Sequence, residues 1–458
     1  MSALNAAALA RLPASVACPA FDPARLACGM VHLGIGAFHR AHQAVFTEDA
    51  IAAKAGNWGI IGASLKHPAV PDALASQDNL YTVESLGTAA RYRVMGVIRG
   101  ALFAPRDRAA LLAALTAPST HAVTLTLSEK GYCLAGDGSL DLMHPDIAAD
   151  LGRPAEPGSA IGWLALALQE RRKTGAGPLT ILSCDNLKSN GQKLEAAVTA
   201  FAQRCWPGLT SWIKANTAFP ATLVDCIVPA SDGAHRARVA AALGFSDQAS
   251  VQRETFAQWV IEDRFAGPLP AWSAAGAEIV ADISGHERLK LHVLNGTHSA
   301  LAYLGLPRGH QFVRQAIADR ALRAFLEEMV AREIAPALAP LDAAAYWRTV
   351  TARFENPMID HRLAQIAEDG SLKLPQRLFP LLEANIKAGR QISHLAGVIA
   401  AWLELMATRP SRDPANDWFA AWAKSGADKA TALDDPTLFP DIFRSDAKSR
   451  AAILAAKV

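Results

Sequence analysis

Residues 29–38 read GMVHLGIGAF. A short β-like run ends at Leu33, Gly34-Ile35-Gly36 follows at once, and a helical pattern opens after it. A glycine turn between strand and helix lets the backbone approach a pyrophosphate, which then sits at the helix N-terminus. The third glycine of GxGxxG is absent, because His39 holds that position. The pattern alone reads either as nucleotide binding or as an ordinary strand-to-helix turn. On the first reading Gly34, Ile35, Gly36, Ala37 and Phe38 contact a coenzyme.

Working outward, a second run, WGIIGASL (58–65), follows after one helix length. Further β-branched runs are 122–127, 179–183 and 222–228, with helical patterns at 160–173 and 191–204. Strands alternating with helices predict an α/β fold with a mostly parallel, doubly wound sheet. From Ser284 the pattern turns helical: 284–305, 310–333, 342–353, 376–388, 392–408 and 415–424. Pro268 and Pro270 punctuate the approach. The expected domains are 1–280, dinucleotide-binding, and 281–458, mainly α-helical.

Lys+Arg is 45 and Asp+Glu 43, a balance of +2 with no long charged block, which argues against a nucleic-acid binder. Cys18, Cys28, Cys133, Cys184, Cys205 and Cys226 form no CxxC pair and no zinc-ligand spacing, so reduced thiols in a cytoplasmic protein are expected, without a metal. The N-terminal stretch lacks the features of a signal peptide. The apolar run near Leu395–Leu403 is too short to span a membrane.

The second strand ends at Ser64-Leu65-Lys66-His67, without an obvious ribose-binding acid. Lys66 would favour a 2′-phosphate, or it is an exposed loop lysine. The coenzyme is NAD or NADP.

Ser284 to Gly305 reads SGHERLKLHVLNGTHSALAYLG. Ser284 and Glu287 have capping-box spacing. At about 100° per residue, with Glu287 at zero, Lys290 falls at about −60°, His298 at about 20° and Asn295 at about 80°. All four lie within roughly 140°, with Leu291 and Leu294 in the same arc, as on a half-buried pocket wall. A desolvated lysine can act as a base, and an asparagine amide can hold a developing alkoxide. His298 would orient substrate hydroxyls and Glu287 would relay the proton. The bland alternatives are a surface Lys–Glu pair and a core histidine. Other polar groups close the strands: Ser128-Glu129-Lys130-Gly131, Ser183-Cys184-Asp185-Asn186, and Asp225. Strand ends are where open α/β sheets bind ligands, although Asp185 and Asn186 could equally cap the next helix.

Together GIGAFHRAHQA (34–44), QDNLYTV (77–83), SEKGYC (128–133), SCDNLKSNG (183–191), QWVIEDRF (258–265), LKLHVLNGTHSALAYLG (289–305), RFENP (353–357) and DGSLKLPQRL (369–378) resemble the long-chain mannitol dehydrogenase family. That family includes polyol dehydrogenases and mannonate (fructuronate) oxidoreductases. The resemblance implies a Rossmann-type first domain, a helical second domain, an active site in the cleft between them and no catalytic zinc. It implies Lys290 as general acid/base, Asn186 and Asn295 as the oxyanion hole, His298 as a substrate ligand and Glu287 in proton exchange. It places Asp225 and Lys373 near substrate; Glu129, at its strand end, and Lys66 are the further expected coenzyme contacts. Two departures stand out: Cys226 occupies a position where the family pattern has arginine, and the stretch after Ser64 lacks the acids of strictly NAD-dependent members.

The wording of 159–162, 219–225 and 374–378 favours the mannonate branch. A sugar acid needs a positive partner, which Arg362, Lys373 and Arg377 could supply. A neutral polyol such as mannitol is the alternative substrate, and a non-catalytic nucleotide-binding regulator the alternative class. A short-chain dehydrogenase is excluded, since no tyrosine has a lysine four residues on. A monomer or small homo-oligomer is expected.

Overall fold

The computed structural model describes residues 1–408, 412–426 and 428–456. It contains two compact units, Met1–Ile283 and Ser284–Val458.

The first unit is built on six strands: β1 (Cys28–Leu33), β2 (Gly59–Ser64), β3 (Ile98–Phe103), β4 (Ala122–Leu125), β5 (Leu179–Ser183) and β6 (Thr217–Ala218). All neighbours are parallel, in the order β3-β2-β1-β4-β5-β6. The order reverses between β1 and β4, which opens a crevice at their carboxyl ends. Val31 and Leu33 of β1 pack with Val123, Leu125 and Ile181 on one face, and Met30 with Ile60, Ala122 and Leu182 on the other. Apolar residues on both faces are what a central parallel strand requires.

The helix after the glycine turn is broken. α1 (Ala37–Ala41) ends at His42, whose dihedrals (φ −126°, ψ −85°) are not helical, and α2 (Gln43–Ala53) restarts beyond it. α3 (Ala160–Thr174) shows how sequence sets a helix. Ser159 caps its start by accepting the Gly162 N–H, and Gly175, at φ 68°, ends it. Its fully buried Arg171 donates to the carbonyls of Leu115, Ala117, Thr120 and Gly177, tying together the segments that lead into β4 and β5.

The 222–228 run does not extend the parallel sheet. Thr222–Asp225 pairs antiparallel with Gln258–Glu262 in a separate three-stranded sheet. Buried Asn190, at the start of α4 (Asn190–Cys205), ties that strand's first residue to the end of β5: its amide nitrogen donates to the Ser183, Asp185 and Thr222 carbonyls, and its amide oxygen accepts the Thr222 N–H. A further four-stranded sheet contains the antiparallel pair Tyr81–Leu86 and Ala90–Met95, inserted between β2 and β3.

The second unit is helical. α5 (Ser284–Leu289) leads into a π-helical segment, Lys290–Leu294, and then α6 (Asn295–Gly305), which is buried from Gly296 to Gly305. The expected helix over 310–333 is instead Val313–Ala318 and Arg320–Met329, followed by a second π segment, Val330–Ile334. Buried Glu333 of that segment accepts the N–H groups of His394 and Leu395, and so caps the helix Ser393–Thr408 from outside. The expected 376–388 helix divides into Gly370–Arg377, with Pro375 inside it, and Phe379–Lys387. Among the described residues no helix is long and apolar enough to cross a membrane.

Candidate active site

At the glycine turn, Gly34 sits at φ 97°, and a Cβ there would lie 2.0 Å from the Thr126 carbonyl oxygen. Only glycine meets both conditions. Its N–H donates to the Ala63 carbonyl (2.8 Å), and the Gly36 N–H donates to the Gly34 carbonyl (2.6 Å). Gly36 caps α1 without a side chain, so the first-turn N–H groups face outward as in any uncapped helix start. Ile35 turns its side chain inward against Gly62, leaving only its backbone at the turn.

The turn forms one wall of a pocket of about 240 Å³. Gly34, Gly36, Ala37 and Phe38 line it, with Thr126 and Leu127 after β4, Cys184, Asp185 and Asn186 after β5, and Val224. Apart from Val224, which comes from the three-stranded sheet, these are the carboxyl ends of the strands at and beside the reversal point. The space before Gly36 and the backbone approach at Gly34 suit a dinucleotide's phosphates, which need N–H donors and no intervening side chain.

Where a third glycine would sit, His39 is fully buried and stacks on His32 of β1. His32 is fixed by the hydroxyls of Thr124 (2.8 Å) and Thr126 (2.9 Å). Burial pulls the His32 pKa down to about 3 and holds His39 well below the usual histidine range, so both rings are neutral.

Asp185 and Asn186 do not cap the next helix; Ser189 holds that position. Asp185 accepts the Leu127 N–H (2.8 Å) and the Tyr132 hydroxyl (2.5 Å), which locks the pocket edges after β4 and β5 together. Burial pushes its pKa up to about 6, against those hydrogen bonds. Asn186, next in the chain, stays exposed. Buried Asp225 ends its strand, and the partly buried Cys226 thiol lies 3.8 Å from the Ile227 carbonyl.

Two expected coenzyme contacts lie outside the pocket lining. Glu129 is exposed in the short turn Glu129–Tyr132. Lys66 forms an exposed ion pair with Asp146 (2.8 Å). Asp146 also belongs to a group, with Cys133 and His144, whose ligand-type atoms lie within 4.8 Å of one another.

In the second unit, the π segment revises the helical wheel. A π turn holds about one residue more than an α turn, so everything beyond it is set back by about 100°. Asn295 then moves to about −20° and His298 to about −80°. With Glu287 and Lys290 they share an arc of about 80°, narrower than a uniform helix gives. Lys290, the first residue of the segment, and Glu287 are both half-buried. His292, within the segment, has its Nδ1 2.8 Å from the Arg377 carbonyl oxygen.

His298 is buried, and its Nε2 has no hydrogen-bond partner. Its ring lies 4.4 Å from Phe354 and 5.2 Å from His361, centroid to centroid. Burial, then the nearby His361, Arg353 and Arg377, hold it well below the usual histidine range. The Arg377 guanidinium donates to the Ser299 hydroxyl (3.1 Å) and reaches the Asn295 carbonyl (3.4 Å). Lys373 donates to the Ile366 carbonyl (3.3 Å), and its pKa is lowered by burial and by Arg377. Asn295, His298, Lys373 and Arg377 thus form one neighbourhood. Arg362 departs from expectation: it is exposed, with its guanidinium over the Phe312 ring. Sequence reasoning missed Arg353 and His361. Both lie in or beside the RFENP segment, and an arginine buried to 8% exposure was the signal available only from the fold.

Residues 28–274 match the mannitol dehydrogenase Rossmann domain, and residues 282–422 the mannitol dehydrogenase C-terminal domain. The chain belongs to the mannitol dehydrogenase family. It is therefore an oxidoreductase of CH–OH groups that uses a nicotinamide coenzyme. D-mannonate oxidoreductase of Escherichia coli is 40% identical over 397 residues, 85% of this chain and 82% of that protein. Mannitol 2-dehydrogenase of Cereibacter sphaeroides is 38% identical over 395 residues, covering 85% and 83%. The structure of Pseudomonas fluorescens mannitol 2-dehydrogenase with NAD and D-mannitol superposes with a TM-score of 0.82 at 33% identity, covering 98% of this chain and 95% of that one.

Proposed function

We propose that the protein interconverts D-fructuronate and D-mannonate. The observation that carries this reading is the basic pair Lys373 and Arg377 beside His298. Neither side chain pairs with a carboxylate among the described residues, and an acidic substrate supplies one. The coenzyme, NAD(H) or NADP(H), supplies or accepts the hydride at the ketone carbon. Lys290 gives a proton to the carbonyl oxygen during reduction and removes it during oxidation. The amide groups of Asn186 and Asn295 donate to that oxygen as it becomes an alkoxide. His298 orients the neighbouring hydroxyl, Glu287 passes the proton on to solvent, and Asp225 accepts from a substrate hydroxyl. The six free cysteines fit a reducing compartment such as the cytoplasm.

Interconversion of mannitol and fructose is the second reading. It is favoured by the near-equal identity to relatives named for that activity. Oxidation of NADH and of NADPH, followed at 25 °C with fructuronate, tagaturonate, fructose and xylulose, separates the readings and ranks the coenzymes. The highest kcat/KM with fructuronate supports the first reading; the highest with fructose replaces it.

A further inference from the structure

Beside the residues already assigned, the second unit holds His361, a ring that the proposed proton and hydride transfer does not use. Its backbone is fixed: the His361 carbonyl accepts the Val313 N–H (3.0 Å), and Phe312 bridges to Arg362 next to it. Its ring stands edge-on to His298, 5.2 Å between centroids and 76° between planes. Its Nδ1 is sealed from solvent without a hydrogen-bond partner, while the residue as a whole is partly exposed. A neutral imidazole carries one N–H, and a sealed N–H without an acceptor is costly. The proton therefore resides on Nε2, at the open side of the ring, where it is a donor.

The charges acting on this ring are cationic: Arg353 and Lys373. Arg377 and Arg353 act in the same way on His298, and Arg377 acts on Lys373. The acids that influence Lys373 are Asp369, Glu368 and Asp413, and none of them is among the groups acting on either histidine. Like charges gathered around two uncharged rings are relieved by an anion.

We propose that His361 is a specificity-determining residue, its Nε2–H donating to the carboxylate of an acidic sugar substrate alongside Lys373 and Arg377. The inference rests on the sugar-acid reading above and adds the residue that discriminates. A neutral polyol carries a hydroxyl where the acid carries a carboxylate, and the bond to a charged acceptor is the stronger one.

The test compares wild type, His361→Leu and His361→Gln, each checked for its melting temperature and coenzyme binding. The Leu variant removes the donor. The Gln variant keeps an N–H at about the distance of Nε2. The expected result is a KM for fructuronate raised about ten-fold or more in the Leu variant, with kcat changed far less. The ratio of kcat/KM for fructuronate over fructose falls with it, and the Gln variant recovers most of the loss. Equal losses on both substrates mean a packing role and overturn the proposal, as does a Leu variant that matches wild type on fructuronate. A wild-type enzyme inactive on fructuronate but active on fructose overturns the substrate reading and this inference together.

Discussion

The ring of His39 lies flat on the ring of His32, centroids 3.4 Å apart and planes 13° from parallel. A dinucleotide-binding turn of the GxGxxG type uses its third glycine to bring helix and strand close. Here a stacked pair of buried rings occupies that place, at the start of the five-residue α1. His39→Ala leaves a void under the turn. It should destabilise the protein by about 2–4 kcal/mol, as for other large-to-small core changes. Urea denaturation at pH 7 checks this; an unchanged midpoint contradicts it.

Acid should weaken the fold. His32, with a pKa near 3, and His39 and His235, also lowered, bind fewer protons folded than unfolded below about pH 6.5. Stability is lost as pH falls through that point, by up to about 1.4 kcal/mol per pH unit for His32 and His39, with His235 adding in the same direction. Glu48, pushed up to about 7, and Asp185, pushed up to about 6, act with the opposite sign: they bind more protons folded, so their contribution rises as pH falls through those values. His121, His292, His298 and His361, also lowered by burial, add to the same side, and together the histidines outweigh the two carboxylates. The urea midpoint should be lower at pH 5 than at pH 7, and an equal or higher midpoint at pH 5 refutes the balance.

Gly34→Ala should abolish coenzyme binding. The positive φ and the 2.0 Å approach to the Thr126 carbonyl leave no room for a methyl group unless the β1 and β4 ends move apart. Titration of protein fluorescence with NADH and NADPH reads this directly. An affinity within about two-fold of wild type, a difference of about 0.4 kcal/mol, shows that the turn does not hold the dinucleotide.

Asn295→Ala should lower kcat by about 10²-fold or more if its amide stabilises the developing alkoxide. Steady-state kinetics with the preferred substrate decides it. A rise in KM with kcat unchanged assigns Asn295 to binding alone.

The sequence exposed those parts of the fold that depend on local periodicity. β1, β2, β4 and β5 announce themselves as apolar runs, and the glycine turn marks the crevice. The 222–228 run misled because its partner, Gln258–Glu262, lies more than 30 residues later, and the long-range contact at its start, with the side chain of Asn190, leaves no periodic trace. The π segment was invisible: KLHVL is ordinary helical sequence, and the contact His292 makes from within it is with a carbonyl 85 residues later. That distortion is what draws Glu287, Lys290, Asn295 and His298 onto one narrow face. Lys66 and Arg362 looked suitable by charge alone, but Asp146 and the Phe312 ring engage them. Arg353 and His361 carried no spacing signal and emerged only through their neighbours.

The most direct test is a single-turnover measurement on Lys290→Ala. Wild type and variant are loaded with reduced coenzyme, mixed with substrate, and followed by the loss of nicotinamide absorbance. Coenzyme affinity should stay near wild type, and the hydride-transfer rate should fall by about 10²–10⁴-fold, partly restored by added small amines. A variant that transfers hydride at close to the wild-type rate would contradict it.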